Sequence, residues 1–419
     1  MTNDDVITAA FRVWGQEFYK TTSLAKLAET LGVSKPALYR HFPDKQSLLD
    51  TMEECFYDDY AAALKPAMEE ALKNRSWQKS LLSLIQFISG YFARHFDYFI
   101  YSLIRLHGSK ENQFLYAEPM RKRGVSFEKF RTGVSADRPS TLFLAGITAL
   151  FETGMFHKQR LGVKDGAIPK KLEESWFSES SEEEVRRFTE TVVERIRLGL
   201  LFDRALVEAL PYEELESRDT GILAPPDPLL KAIAEAVAEE GPWNASMETV
   251  ARRSGLSKSG LYAHFKSKED MLSRLFMTEF GRIAQCAAAH TVAAKTPEEG
   301  LYLVILSITD YLKARPEILV VLDWVRIQRL ELDLSVPAEL FNFFAGLTIG
   351  VQFENGRENV SSWILFLLIT TLVYTQTAFG GGIQSASLRP QSEASKKEID
   401  YDSLRKLFKF ISCGIEGLE

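Results

Sequence analysis

The sequence has few cysteines and no arrangement of them that suits a metal. Cys55, Cys286 and Cys413 are widely spaced within 419 residues, and no CxxC pair or Cys/His cluster accompanies them. A structural zinc site is therefore not expected. The few, unpaired cysteines predict a reducing, cytoplasmic location. We predict that the protein holds no metal and no cofactor.

The motifs of common enzyme classes are also missing. There is no GxSxG, no GxxxxGK[ST] and no HExxH. The glycines at 380–382 follow a predicted helix, so they indicate a helix stop rather than a phosphate-binding loop. Glu152 and His157 are five residues apart, which does not place both on one helical face for a metal. We predict no catalytic residues and no enzymatic activity.

Membrane and secretion signals are weak or absent. The first ten residues lack a basic region followed by an apolar one. One long apolar run, residues 363–379, approaches the length of a membrane span, but Thr370, Thr371 and Gln376 interrupt it. We interpret it as a helix buried between protein surfaces and predict no membrane partner.

What the sequence does contain is enough apolar material for large cores. It is 46% hydrophobic and 26% charged, with a net charge of −7. Its length indicates two to four domains. Alternating strand patterns are not convincing anywhere, so we predict an all-α protein. For nucleic-acid binding, the charge of the docking face matters more than the negative total.

Two stretches, residues 23–49 and 246–272, carry the same pattern 223 residues apart. In the first, Leu24, Leu27, Ala28 and Leu31 have the spacing of one buried helical face. Gly32 can close that helix with a positive φ, and the next residues can begin a second, short helix. The pattern predicts a helix-turn-helix, a unit that places its second helix in the DNA major groove.

The predicted second helix has a buried and an exposed side. Ser34 is expected to cap it, with Pro36 in its first turn and Leu38 and Phe42 pointing inward. In the second copy, Gly255, Leu256, Ser257, Leu261 and Phe265 take the corresponding roles.

At these residues the chain resembles the tetracycline-repressor (TetR) family of bacterial transcription regulators. The first copy matches the family pattern at Thr21, Thr22, Ala28, Gly32, Val33, Ser34, Leu38, Tyr39, His41, Phe42 and Lys45. The second matches it at Ala251, Gly255, Leu256, Ser257, Leu261, Tyr262, His264, Phe265 and Lys268, but has Asn244 and Ala245 where the pair of threonines would stand.

The likeness between the two halves continues beyond these stretches. Residues 140–150 align with 362–372, and 185–196 align with 404–415. A nearly constant offset indicates a duplicated and fused chain. The predicted domains are a first head (1–50), a first body (51–210), a linker (211–228), a second head (229–273) and a second body (274–419).

The resemblance implies how the halves associate. Family members with one head pair through their last two long helices, which correspond here to 139–161 with 185–210 and to 361–379 with 402–417. We therefore predict an intramolecular pseudo-dimer that acts as a monomer, while a homodimer of two chains stays open. Each half would be a DNA-binding head on a helical ligand-binding and dimerisation body.

The partner implied for the heads is double-stranded DNA. Arg40 could pair with a guanine, which Ala263 at the equivalent position cannot do, so we predict an operator with unlike half-sites. The tyrosines and Lys45 and Lys268 are expected on phosphates; core packing for the tyrosines and helix-end packing for the histidines are the alternatives. The predicted DNA-binding residues are Thr22, Ser34, Lys35, Pro36, Ala37, Tyr39, Arg40, His41, Lys45, Ser257, Lys258, Ser259, Gly260, Tyr262, His264 and Lys268.

The resemblance also implies a small-molecule effector that binds among the body helices. Many aromatic residues between Phe87 and Tyr116 suit a largely apolar or planar ligand, although ordinary core packing explains most single rings equally well. The candidate ligand-binding residues are Tyr91, Phe92, Phe99, Glu152, His157, Trp324, Tyr374 and Gln376.

These observations predict a transcription regulator, with repression as the expected mode. The alternative is a sensor or partner-binding protein of the same fold that has lost specific DNA binding. Asp44 near the contact edge and the missing threonine pair favour this second interpretation.

Overall fold

A computed structural model describes residues 3–17, 23–74, 76–108, 117–131, 138–160, 180–218, 227–292, 294–328, 357–380 and 401–418. Within these ranges every regular element is a helix, which confirms the predicted all-α class. The chain divides into two compact units. One comprises Met1–Val163 and Ile168–Glu194, and the other Lys164–Ala167 and Arg195–Glu419.

The first unit begins with a three-helix head and a long helix that leads from it into the body. The apolar spacing of the first two helices is reflected in burial, because Phe11, Leu24 and Leu27 are all nearly inaccessible. The helices are α1 (Asn3–Glu17), α2 (Leu24–Thr30), α3 (Lys35–His41) and the connecting helix α4 (Lys45–Ala71).

In the body of the first unit, α5 (Trp77–Arg94) and α7 (Ala117–Lys122) pack against the long connecting helix α4. Phe56 of α4 is fully buried among aromatic rings, 5.4 Å from the ring centre of Tyr98 and 5.2 Å from that of Tyr101. The body helices are α5 (Trp77–Arg94), α6 (Phe96–Gly108), α7 (Ala117–Lys122), α8 (Glu128–Arg131), α9 (Arg138–Arg160) and α10 (Glu182–Leu198), the last extending into the second unit.

The second unit contains the second head, its connecting helix and its body. Its helices are α11 (Arg204–Glu208), α12 (Tyr212–Ser217), α13 (Pro228–Asn244), α14 (Met247–Arg253), α15 (Lys258–His264), the connecting helix α16 (Lys268–Thr291), α17 (Pro297–Ala314), α18 (Pro316–Gln328), α19 (Arg357–Gly380) and α20 (Tyr401–Cys413), followed by a 3₁₀ turn (Gly414–Leu418).

Several equivalent helices have the same length in the two copies, although α4 has 27 residues and α16 has 24. The recognition helices α3 and α15 have 7 residues each, α5 and α17 have 18, and α6 and α18 have 13. Equivalent positions are 223 residues apart in the heads and connecting helices, and 220 residues apart in α5/α17 and α6/α18.

The helix predicted to run from 185 to about 210 ends earlier, at Leu198. Gly199 follows with a φ of +59°, and a Cβ there would lie 2.5 Å from the Ile411 carbonyl oxygen. The Leu200 amide donates to the same carbonyl over 2.8 Å. Since only a glycine allows this approach, the backbone leaves the helix at this residue.

Gly414 makes the matching approach from the other copy. Its φ is +64°, and a Cβ on it would collide with the Arg197 carbonyl. Each copy of the repeat therefore ends its last helix with a glycine, and the two glycines meet where the backbones cross.

Part of the segment predicted as a linker, 211–228, is a helix attached to the second body. Glu216 of α12 accepts a hydrogen bond from the Tyr302 hydroxyl at 2.5 Å and a bidentate pair from Arg405 at 2.7 and 2.5 Å. Leu215 is buried beside them. Leu215, Glu216 and the ring of Tyr212, which lies 5.0 Å from that of Tyr302, fix this part of the predicted linker to the second body. The boundaries at 211 and 228 stay predictions.

Helix α19 contains the apolar run noted in the sequence. Trp363 is fully buried, and the Arg195 guanidinium lies 5.3 Å from its ring centre. Of the helices that the structure describes, none is both long and apolar enough to cross a membrane.

Candidate nucleic-acid interface

The first recognition helix, α3, is held by its two ends and by one apolar face. The Ser34 hydroxyl caps it by accepting a hydrogen bond from the Ala37 amide at 3.3 Å, as predicted. Leu38 is fully buried and Phe42 nearly so. The opposite face is left to solvent, and Tyr39 is 49% exposed. Exposed on the helix are Lys35, Pro36, Tyr39 and Arg40, with Ala37 half-buried.

The second recognition helix, α15, repeats this construction with smaller side chains. Ser257 caps it through the Gly260 amide at 3.0 Å, and its hydroxyl lies 3.0 Å from that of Ser259. Leu261 is fully buried, while Tyr262 is 48% exposed. Lys258, Ser259, Tyr262 and Ala263 are exposed.

The turn before each recognition helix uses a glycine, as predicted. Gly32 has a φ of +64° and Gly255 a φ of +69°. The amide of the following residue reaches back to the helix, from Val33 to the Ala28 carbonyl and from Leu256 to that of Ala251, both at 2.9 Å. These turns fix the angle at which α3 and α15 leave the preceding helices.

The connecting helices begin beside the recognition helices and differ at their caps. Asp44 caps α4 by accepting a hydrogen bond from the Ser47 amide at 2.7 Å, whereas Ser267 caps α16 by accepting one from the Asp270 amide at 3.2 Å. The first head therefore carries a negative charge where the second has a hydroxyl. Partial burial lowers the pKa of Lys45, the residue after the cap.

The basic side chains of the second head divide into paired and exposed groups. Arg253 pairs with Glu239, and Arg274 pairs with Asp270 at 3.1 Å while lying over the Phe265 ring. Arg252, Lys258 and Lys266 are exposed as well, with Lys258 on α15 and Lys266 two residues after its end. Positive charge on and next to the recognition helix favours the approach of a phosphate backbone.

The two histidines predicted at the contact edge are in different surroundings. The His41 Nδ1 donates to the Asn3 side-chain oxygen at 2.6 Å, which ties α3 to α1. His264 is exposed, with its ring centre 6.3 Å from that of Phe265. Lys268 is half-buried at the start of α16. Thr22 lies outside the described residues.

The candidate ligand-binding residues of the first body fall into two groups. Phe92, Phe99 and His157 belong to the core, and the His157 Nε2 donates to the Phe92 carbonyl at 2.9 Å. Glu152 is also buried. Tyr91 is buried as well, at 8% exposure, but it also lines a groove of about 900 Å³ between α4, α5 and the start of α10. For Trp324, Tyr374 and Gln376, the side chains are outside the described part of the chain.

Sequence reasoning missed most of the groove. Gln86, Arg94 and His95 line it from α5, and Glu182 and Arg186 line it from α10. The Arg94–Glu182 ion pair, 2.7 Å between Nη2 and Oε2, joins residues 88 positions apart. Only the aromatic density around Phe87 and Tyr91 could have pointed to this face.

Comparison with known proteins identifies the heads. The domain described as "Bacterial regulatory proteins, tetR family" matches twice, at residues 6–52 and 229–275. A fatty acid metabolism regulator protein of Bacillus subtilis (strain 168) is 30% identical over 77 residues, which are 18% of this chain and 40% of that relative.

Solved structures of single-head regulators resemble parts of the chain. The fatty acid degradation regulator FadR from Bacillus halodurans has a TM-score of 0.35 and 18% identity, covering 44% of this chain and 93% of that one. FadR from Bacillus subtilis, solved in complex with stearoyl-CoA, has a TM-score of 0.35 and 19% identity, covering 45% of this chain and 97% of that one. The regulator PfmR from Thermus thermophilus has a TM-score of 0.32 and 19% identity, covering 46% of this chain and 100% of that one.

Both matched segments coincide with the heads described above, each with a capped and exposed recognition helix. Residues 6–52 and 229–275 are therefore two tandem copies of the domain of the bacterial regulatory proteins, tetR family.

Proposed function

We propose that this protein is a cytoplasmic transcriptional repressor that binds one operator with the two heads of a single chain. The supporting observation is that both recognition helices leave the same kind of face exposed, including Tyr39 and Tyr262 at nearly equal accessibility. Side chains on an exposed helix of this kind can reach base edges in the major groove.

The half-sites of the proposed operator are unlike each other. Arg40 presents a guanidinium able to make a bidentate contact with guanine O6 and N7, whereas Ala263 offers only a methyl group. Tyr39, Tyr262 and Lys268 are assigned to phosphates, so they set position rather than sequence.

The pseudo-dimer is supported by the crossing of Gly199 and Gly414. Both glycines end the last helix of their own copy, and each meets the backbone of the other copy. We infer that the surface by which single-head relatives pair is used within this chain, so one chain occupies one operator.

An apolar effector controls the proposed repressor. Its binding in a body would shift a connecting helix and change the separation of the heads, which in two-headed regulators equals about one turn of DNA, roughly 34–36 Å. A coupling of about 1–3 kcal/mol is enough to change operator occupancy. No reaction is assigned to the protein.

The test is an electrophoretic mobility shift with DNA from upstream of the protein's own gene, at low and moderate salt, combined with the mass of the complex. We expect one chain per operator and, after selection from random DNA, a site that is not a palindrome. Two chains per operator would contradict the pseudo-dimer, and a perfect palindrome would contradict the unlike half-sites.

A ligand sensor without specific DNA binding is the second candidate. Asp44 at the start of α4, and Asn244 and Ala245 in place of the threonine pair, favour it. The same mobility shift separates the two functions. Replacing Lys45 and Lys268 together by Ala should weaken binding to every DNA sequence and make the binding less dependent on salt. If the unaltered chain retards no DNA, the regulator is contradicted and the ligand sensor is the remaining function.

A further inference from the structure

The outward faces of α5 and α17 are equivalent in sequence position but differ in exposure. Gln86 is exposed and Ser83 is half-buried, whereas Leu306 and Leu303 at the same positions of α17 are both 3% exposed. The surface that forms a wall of the groove in the first body is thus covered in the second.

The end of these helices shows the same difference. His95, which ends α5, is exposed at the mouth of the groove, and its ring lies 4.5 Å from that of Tyr91. Its equivalent Arg315 is buried and pairs with Glu279 at 3.3 Å and with Glu317 at 2.6 Å.

The tyrosine shared by both copies follows this pattern. Tyr91 faces the open groove, whereas the hydroxyl of its equivalent, Tyr311, donates to Glu279 of the connecting helix α16. In the second body, the position of the ligand-facing tyrosine is therefore occupied by an internal polar cluster of Glu279, Tyr311 and Arg315.

The groove of the first body also touches the connecting helix of its own head. Ala63 of α4 lines it, and the neighbouring α4 residue Tyr60 lies 5.2 Å from the Tyr91 ring. A molecule in the groove would contact both α4 and the residues that hold α4 in place.

The chemistry of the groove favours a ligand without charge. Its arginines already have carboxylate partners, Arg94 with Glu182 at 2.7 Å and Arg186 with Glu183 at 2.9 Å. Phe87 and Tyr91 offer ring faces, and a volume of about 900 Å³ suits a drug-sized molecule. A charged ligand would have to displace an existing ion pair, whereas an uncharged ring system would not.

We propose that ligand sensing is one-sided: the first body binds an uncharged, largely apolar ring compound in the groove between α4, α5 and α10, and the second body is a ligand-independent support. This rests on the proposed function insofar as the ligand is the effector of the regulator. The binding site itself does not depend on DNA.

The experiment uses the full chain and two dyes that share one ring skeleton. N-phenyl-1-naphthylamine is uncharged, and 8-anilinonaphthalene-1-sulfonate adds one sulfonate. Fluorescence titration should give one uncharged dye per chain and at least tenfold weaker binding of the sulfonate. Two dyes per chain, no saturable binding, or tighter binding of the sulfonate would overturn the proposal.

Matched variants locate the site. Ala63→Trp places a large ring in the groove from α4. Cys286→Trp is the control, because it introduces the same ring at the equivalent position of α16, outside the groove. We expect at least tenfold weaker dye binding in the first and a change below twofold in the second, with circular dichroism confirming that both fold. If Ala63→Trp does not fold, Ser83→Trp, which fills the groove from α5, repeats the test. Equal effects of the α4 and α16 variants on dye binding would contradict one-sided sensing.

The mobility shift is then repeated with the uncharged dye. If the chain retards no DNA while the dye results hold, the proposed function fails and the binding site stands. If the chain binds its operator but both dyes bind equally to either body, only the one-sided site fails.

Discussion

The two connecting helices, α4 and α16, start from equivalent heads but are fixed to their bodies by different chemistry. Phe56 of α4 lies in an aromatic cluster with Tyr98 and Tyr101. The equivalent residue of α16 is Glu279, which is 2% exposed and bonded to Tyr311 and Arg315. At this position α4 packs an aromatic ring and α16 carries a buried ion pair, although α4 also has ion pairs from Glu54 and Asp58 to Arg123.

The difference teaches how a duplicated chain can specialise. The burial of Phe56 is favourable as apolar burial, with the added preference of ring pairs for edge-to-face contacts. A buried ion pair tolerates little displacement, because separating its partners leaves a charge in a medium of low polarity. The buried side of the connecting helix is thus aromatic at this position in the first copy and charged in the second.

The largest expected effect concerns the glycines that join the copies. Gly414→Ala should lower the free energy of unfolding by about 2–5 kcal/mol, because a left-handed φ and a backbone collision both oppose the new Cβ. Gly255→Ala, with a similar φ and open space around it, should cost only about 1–2 kcal/mol. Denaturant unfolding of the full chain measures both; equal losses would show that the crossing adds nothing.

A loss of the same size is expected when the ion pair between Arg315 and Glu279 is broken. Arg315→Ala leaves Glu279 buried and unpaired and should cost about 3–5 kcal/mol in unfolding free energy. His95→Ala, at the equivalent exposed position of the first body, should change stability by less than about 0.5 kcal/mol.

A double variant sharpens this result. Replacing Glu279 and Arg315 together by Leu should recover part of the loss, since the Glu279 charge is removed while Glu317 loses its partner. If His95→Ala proved as damaging as Arg315→Ala, the two bodies would be held alike after all.

A smaller effect separates the two recognition helices. Arg40→Ala should cost about 1–3 kcal/mol of discrimination at one half-site only, because it removes the proposed guanine contact. Lys258→Ala should weaken binding to all sequences and reduce the salt slope by about 1. Competition binding with half-site variants at several salt concentrations reports both; loss of discrimination at both half-sites would contradict the assignment of Arg40.

The smallest effect comes from exchanging the caps of the connecting helices. Asp44→Ser should strengthen DNA binding by about 0.3–1 kcal/mol, since it removes a negative charge near the phosphates while a serine still caps the helix. Ser267→Asp should weaken it by a similar amount. Affinity measured at low salt is the readout, and an unchanged affinity for both variants would place the caps away from the duplex.

Much of the heads could be predicted from the sequence, because their signals are local. The capping serines Ser34 and Ser257 and the turn glycines Gly32 and Gly255 all act within a few residues of their partners. The structure confirms each of these roles.

The groove and the internal polar cluster could not be predicted in this way. Glu279 and Arg315 are 36 residues apart on different helices, and each alone looks like an ordinary surface charge. The groove forms because Tyr91 of α5 and Glu182 of α10 line the same surface, and this depends on how the chain folds back to place α10 against α5. The early end of α10 was missed because Gly199 signals a stop only through the backbone that crosses it.

If the two heads read unlike half-sites as proposed, the recognition helices give this protein a direction along DNA. A symmetric dimer sits identically when its palindrome is inverted, but a chain with Arg40 on one head and Ala263 on the other does not. Inverting the operator relative to a promoter would turn the whole protein around and present the opposite body to RNA polymerase. Such a regulator could distinguish upstream from downstream, which paired identical subunits cannot.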